Sequence, residues 1–120
     1  MIIGTGLDLV ELQRMEKLIT NAKFVERILT DTEQEQFYQK TSERRKVEYL
    51  AGRFAAKEAY AKATGLGFGQ ALSWQDIEIV NDASGRPALH AKHAIHRAHV
   101  SITHTKEYAA ATVILESLSC

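Results

Sequence analysis

The chain has 120 residues, 45% hydrophobic and 25% charged, with 15 Lys plus Arg against 15 Asp plus Glu. That is the profile of one globular domain over residues 1–120 with a modest core, since a chain of this size buries about two-thirds of its unfolded surface. A formal charge of zero excludes a general nucleic-acid binder, which needs a basic surplus to displace counterions.

In chain order, residues 2–10 (IIGTGLDLV) predict a strand. Alternation sets Ile3, Thr5, Leu7 and Leu9 on one face and Ile2, Gly4, Gly6, Asp8 and Val10 on the other. Gly4 and Gly6 leave bare backbone beside Asp8, where another element can approach closely. Residues 11–20 predict a short amphipathic helix. Thr30-Asp31-Thr32-Glu33 has the capping-box pattern and starts another helix, ending near Lys40. Ser42 caps a third, over about 43–64, which stops at Gly65.

GLGFG (65–69) is a loop; it follows a helix, so it is no dinucleotide-binding motif. Ile77 and Ile79 alternate with Asp76 and Glu78 in a half-buried strand. The tract NDASGRP (81–87) is rich in turn formers, and residues 88–91 return as the paired strand. Residues 92–98 are expected to form a turn or two of helix. Val100 and Ile102 share a strand face with His104, residues 108–116 form the last strand, and THTKEY makes the turn between them. Helices early and antiparallel strands late give an α+β class, an antiparallel sheet packed against one long helix. Trp74 is expected to pack in the core.

Cys120 is the only cysteine, which excludes an internal disulfide framework and fits a reducing compartment. The opening MIIGTGLDLVEL has no basic segment ahead of an apolar run, so it is not read as a signal peptide. No apolar stretch approaches the roughly 18 residues of a membrane span. The expected location is the cytoplasm, with no membrane partner.

Within the long helix one residue breaks the pattern. At about 100° per residue, Val47, Leu50, Ala51, Phe54 and Ala55 form an apolar stripe, and Glu58 lies near its middle. A buried carboxylate needs a cation, a hydrogen-bond network or a raised pKa. One partner is Lys62, an i,i+4 pair at the core margin. The other is Asp8, the acidic residue on a mostly apolar strand face. Two facing carboxylates without a His or Cys ligand motif suit a hard cation such as Mg²⁺, which also takes waters and phosphate oxygens. Lys46, Arg53 and Lys57 fall in a narrow sector of the same helix, either a solvated face or a phosphate-binding edge. His90, His93, His96 and His99 recur every third residue; that period drifts around a helix, so a zinc site is not expected from them.

Gly6-Leu7-Asp8, together with Phe54-Ala55-Ala56-Lys57-Glu58-Ala59 and Lys62, resembles the signature of the phosphopantetheinyl transferases. The tracts MIIGTGLDLVEL, LAGRFAAKEA and VSITHTKEYAAA are similar to the bacterial holo-acyl-carrier-protein synthase group of that family, over essentially the whole chain. The resemblance implies transfer of 4′-phosphopantetheine from coenzyme A to a serine of an apo-acyl carrier protein, activating it for fatty acid synthesis and releasing adenosine 3′,5′-bisphosphate. It implies Mg²⁺ on Asp8 and Glu58, with Lys62 against the pyrophosphate; Glu58 or a metal-bound water remain alternative bases for the serine proton.

The resemblance also implies a homotrimer with active sites at subunit boundaries, where Gly85-Arg86-Pro87 of a neighbour joins the coenzyme site. Arg45, Arg53 and His104 would meet the nucleotide phosphates, with Lys46, Lys57 and Gly65 along the same edge. A carrier protein is acidic, so its docking surface should be basic. Arg14, Lys17, Lys23 and Arg27 supply cations there, with Phe24 and Ile28 as apolar anchors. The rival class is a non-catalytic module that binds coenzyme A or the carrier.

Overall fold

In the computed structural model, which describes residues 1–118, the chain runs β1 (Ile2–Glu11), α1 (Leu12–Glu16), α2 (Ala22–Ile28), α3 (Asp31–Gln39) and α4 (Glu43–Thr64). A 3-10 turn (Trp74–Asp76) follows, then β2 (Ile77–Asn81), β3 (Pro87–Ala91), β4 (His96–His104) and β5 (Tyr108–Ser117). Cys120 lies outside the described residues. The class is α+β as expected, with two antiparallel sheets: β1–β5–β4 and the hairpin β2–β3.

The helix boundaries follow from local chemistry. Both halves of the α3 capping box form: the Glu33 amide donates to Thr30 Oγ1 at 3.3 Å and the Thr30 amide to Glu33 Oε1 at 2.9 Å. Ser42 Oγ accepts from the Arg45 amide at 3.1 Å, and Gly65 ends α4 at φ +77°, a conformation glycine adopts without Cβ strain. Two expectations are corrected. The helix of residues 11–20 is only α1, because the chain turns after Glu16 and Asn21 then caps a separate helix, its Oδ1 accepting from the Phe24 amide at 3.1 Å. Residues 92–98 are not helical. His93 takes φ +60° in a turn, and from His96 the half-buried Ala98, Val100 and Ile102 alternate with exposed Arg97, His99 and Ser101, a strand period.

The site is positioned by the contact of β1 with α4. Val10 of β1 and Ala109, Ala111, Val113 and Leu115 of β5 form the buried face of the sheet, against Leu50, Ala51, Ala55 and Ala59 of the helix. At the glycines the contact is backbone against backbone. A methyl group on Gly6 would overlap the carbonyl oxygen of Ala59, and one on Gly4 that of Ala63. Gly6→Ala is therefore expected to lower stability by about 3 kcal/mol, the upper end for overpacking, because neither backbone can turn aside. Urea unfolding measures it, and a midpoint equal to that of the parent would mean the strand can lift off the helix without penalty. The opposite face of β1 is uncovered: Ile3, Leu7 and Leu9 are each more than half exposed.

Candidate active site

β1 brings Asp8 to the helix one residue-pair beyond Gly6, and α4 brings Glu58 and Lys62. Lys62 Nζ donates to Asp8 Oδ1 at 3.0 Å and to the Leu7 carbonyl at 3.0 Å. The i,i+4 alternative thus gives way: the lysine pairs across the seam with Asp8. Burial, and next the charge of Asp8, push the Glu58 carboxyl above its ordinary range, while Lys62 and Arg14 act the other way. Asp8 and Glu58 thus lie near enough for their charges to act on one another, beside the close approach of Gly6 to the helix. Among the described residues no group of three or more His, Cys, Asp or Glu is placed to share a metal.

The basic sector of α4 proves to be turned inward. Lys46 lies over the rings of Phe37 and Tyr38, at 5.7 and 5.9 Å from their centroids. Arg53 covers the Tyr49 ring at 4.3 Å and donates from Nη2 to the Ile79 carbonyl at 3.3 Å. Burial drives the Tyr49 phenol up to about 12. Lys57 is fully buried, its ammonium 2.7 Å from Glu33 Oε1, with burial holding its pKa below the ordinary lysine value. Placing Lys57 on a phosphate-binding edge is therefore corrected, because its ammonium has no access to solvent and its donors are already engaged.

The other residues expected around the coenzyme are spread along the molecule. Arg45 is exposed in the first turn of α4, 13 positions or about 20 Å from Glu58. Gly65 closes the same helix. Gly85, Arg86 and Pro87 form the tip of the β2–β3 hairpin. There Asp82 Oδ1 accepts from the Ser84 amide, the Ser84 hydroxyl and the Arg86 amide at 2.9, 2.6 and 3.0 Å, which holds its carboxyl below the usual range. None of the hydrogen bonds of this tip reaches Asp8, Glu58 or Lys62 within the chain. His104 ends β4 with Nδ1 3.6 Å from Glu48 Oε2, and Glu48 in turn holds Arg44 Nε at 2.9 Å. Arg44 Nη2 also donates to the carbonyls of Thr105 and Lys106, fixing the turn that follows His104.

Of the expected docking residues, Arg14, Lys17, Lys23 and Arg27 are exposed and Phe24 is half-buried. Ile28 is corrected: it is 2% exposed and belongs to the core, because the last turn of α2 faces Val25 and Leu29 inward with it. Three aromatic residues escaped notice as surface groups. Phe24 stacks on Phe54 (6.1 Å), Phe54 on Trp74 (5.1 Å) and Trp74 on Phe68 (3.8 Å), with Arg14 over Phe54 at 5.9 Å. All four rings are half-buried, so they form a ledge and not a closed core. The available signal was the spacing of Phe54, one helical turn before Glu58.

A family model described as the 4′-phosphopantetheinyl transferase superfamily matches residues 4–113, which include Asp8, Glu58 and Lys62. The chain belongs to this superfamily. As a 4′-phosphopantetheinyl transferase it has close relatives. The holo-[acyl-carrier-protein] synthase of Geobacillus sp. (strain WCH70) is 55% identical over 120 residues, 99% of this chain and 100% of that protein. That of Bacillus subtilis (strain 168) is 55% identical over 121 residues, 99% of each. Solved transferases share the fold. The holo-(acyl-carrier-protein) synthase of Bacillus anthracis str. Ames, in complex with CoA (3′,5′-ADP), matches at TM-score 0.90 and 49% identity over 98% of both chains. The Helicobacter pylori enzyme in complex with coenzyme A matches at TM-score 0.82 and 31% identity, over 93% of this chain and 99% of that one.

Proposed function

We propose that this chain transfers 4′-phosphopantetheine from coenzyme A to a serine hydroxyl of an apo-acyl carrier protein, releases adenosine 3′,5′-bisphosphate, and so activates the carrier for fatty acid synthesis. The observation that carries the reading is the convergence of Asp8, Glu58 and Lys62 on the β1–α4 seam in a chain of this family. Recognition alone does not require two carboxylates held against their mutual repulsion.

Mg²⁺ fits this pair. Both ligands are hard oxygen donors, and the repulsion from Asp8 that adds to burial in raising the Glu58 pKa is what a dication between them would relieve. Asp8 and Glu58 would hold it, with waters and phosphate oxygens as the remaining ligands; bound there, it supplies charge neutralisation at the pyrophosphate. Lys62 is about half exposed and long enough to hold Asp8 and the Leu7 carbonyl while offering its third donor to a phosphate oxygen. A Glu58 oxygen left free of the cation would accept the serine proton.

Arg45, Lys46, Arg53, Gly65 and His104 are assigned to the coenzyme, and Gly85, Arg86 and Pro87 to the coenzyme site of a neighbouring copy. Arg14, Lys17, Lys23, Arg27 and Phe24 are assigned to an acidic carrier. The uncovered strip of Ile3, Thr5, Leu7 and Leu9 is apolar apart from Thr5, as a surface buried between copies would be, and it supports the homotrimer. Among the described residues no helix is long and apolar enough to cross a membrane. The cytoplasm is the compartment assigned, with residues 1–120 acting as one transferase domain.

Mass spectrometry of an apo-acyl carrier protein tests the reading. After incubation with this chain, coenzyme A and Mg²⁺, the carrier is expected to gain one phosphopantetheinyl group. A competent carrier of unchanged mass would favour the non-catalytic binding module.

A further inference from the structure

The residue before Glu58 has no part in the chemistry above, yet it is a buried ammonium, which is costly unless its donors are met. Lysine has three donors, and three acceptors surround Lys57 Nζ: the Ile28 carbonyl at 2.7 Å, Glu33 Oε1 at 2.7 Å and the Trp74 carbonyl at 3.1 Å. They come from three separate pieces of chain. Ile28 is the last residue of α2, so its carbonyl is one that the helix leaves unpaired, at the end where a cation is favoured. Trp74 opens the 3-10 turn. Glu33 belongs to α3, and its other oxygen accepts from the Ile79 amide of β2 at 2.8 Å.

Gln75 forms a second clasp on α2. Its Nε2 donates to the carbonyls of Glu26, Arg27 and Leu29 at 2.8, 3.3 and 2.8 Å. Both clasps end on the elements that carry the aromatic ledge and its cations: α2 presents Phe24 and Arg27, and Trp74 stacks on Phe54. The ledge is thus joined side chain to side chain at its surface and pinned through its backbone to α4, one residue from Glu58.

We propose that Lys57 and Gln75 are positioning residues for carrier docking, fixing α2 and the Phe24–Phe54–Trp74 ledge at a set distance from the Glu58 carboxylate. This rests on the carrier-transfer reading. A serine on a docked protein reaches the reacting phosphate only if the docking surface and the carboxylates move as one body.

Steady-state kinetics of the full chain with apo-carrier and coenzyme A test this in two variants. Glu33→Met with Lys57→Met removes both buried charges together, a milder change than removing one. Gln75→Ala touches no buried charge. The kcat/KM for carrier is expected to fall about tenfold in the double variant and about threefold in Gln75→Ala, through a lower kcat at saturating carrier as well as a higher carrier KM, with the KM for coenzyme A within about twofold of the parent. A kcat/KM for carrier unchanged in Gln75→Ala overturns the proposal, whether or not the double variant folds. So does a rise in the coenzyme A KM with the kcat/KM for carrier unchanged, which would return Lys57 to the co-substrate site. A parent chain that leaves the carrier unmodified fails the transfer reading itself, and the positioning role falls with it.

Discussion

Glu58→Gln is expected to slow carrier modification by about a hundredfold to a thousandfold and yet to melt at a higher temperature than the parent protein at neutral pH without divalent cation. The loss follows from the assigned chemistry, since an amide of nearly the same shape carries no charge to hold a cation and no basicity to take a proton. The gain follows from the environment. The Glu58 pKa lies above its ordinary value of 4.5 because burial and Asp8 both disfavour its charge. A carboxylate shifted in that direction binds its proton more tightly folded than unfolded. Its stabilising contribution is present below pH 4.5 and is lost as pH rises through the folded pKa. The parent should therefore lose stability across that window while Glu58→Gln does not. Added Mg²⁺ should raise the melting temperature of the parent at neutral pH and leave the variant unmoved. Thermal melts over a pH series, with and without Mg²⁺, measure both effects. Equal responses to Mg²⁺ in the two proteins would remove Glu58 from the cation site.

Glu33→Ala is expected to cost about 3–5 kcal/mol, the range for stripping one partner from a buried ion pair. The variant leaves the Lys57 ammonium in the core without its counter-ion, and leaves the Thr30 and Ile79 amides without their carboxylate acceptor. Lys57 already has a lowered pKa, burial outweighing the pull of Glu33. Without Glu33 it falls further, so the unfolded chain holds the extra proton and stability should recover as pH rises toward 10.5. Urea unfolding at several pH values reads both the loss and its recovery. A variant as stable as the parent at pH 7 would mean that water replaces the carboxylate around Nζ.

The parts of the fold that a sequence states locally were legible. Thr30 and Glu33 announce the start of α3 within four residues, and Ser42 and Gly65 bracket α4. Gly4 and Gly6 on the face of Asp8 foretold a close backbone contact, and Glu58 in an apolar stripe pointed to the carboxylate opposite. What was not legible depends on partners distant in sequence. Lys57 looks like a surface cation because its partner lies 24 residues away and is already accounted for as a helix cap. Ile28 looked like an exposed anchor because residues 22–28 were given no helix of their own, although Asn21 was available as its cap. Phe54 and Trp74 were assigned wholly to the core; only their stacking order, set by the loop carrying Phe68, shows how much of each ring faces outward. The His93 turn was hidden by residues 92–98, whose small and basic side chains fit a helix about as well as a strand.

Helix ends usually fray, opening a turn at a time far more often than the whole protein unfolds. The first turn of α3 lacks that freedom. The carboxylate that closes its capping box is the one that neutralises Lys57 and receives the Ile79 amide. Opening the turn would strand a charge in the core, so the helix end and the core open together. The backbone amides of Thr30 and Ile79, though they sit at a helix start and in a two-stranded hairpin, should exchange with solvent deuterium only as fast as the whole chain unfolds.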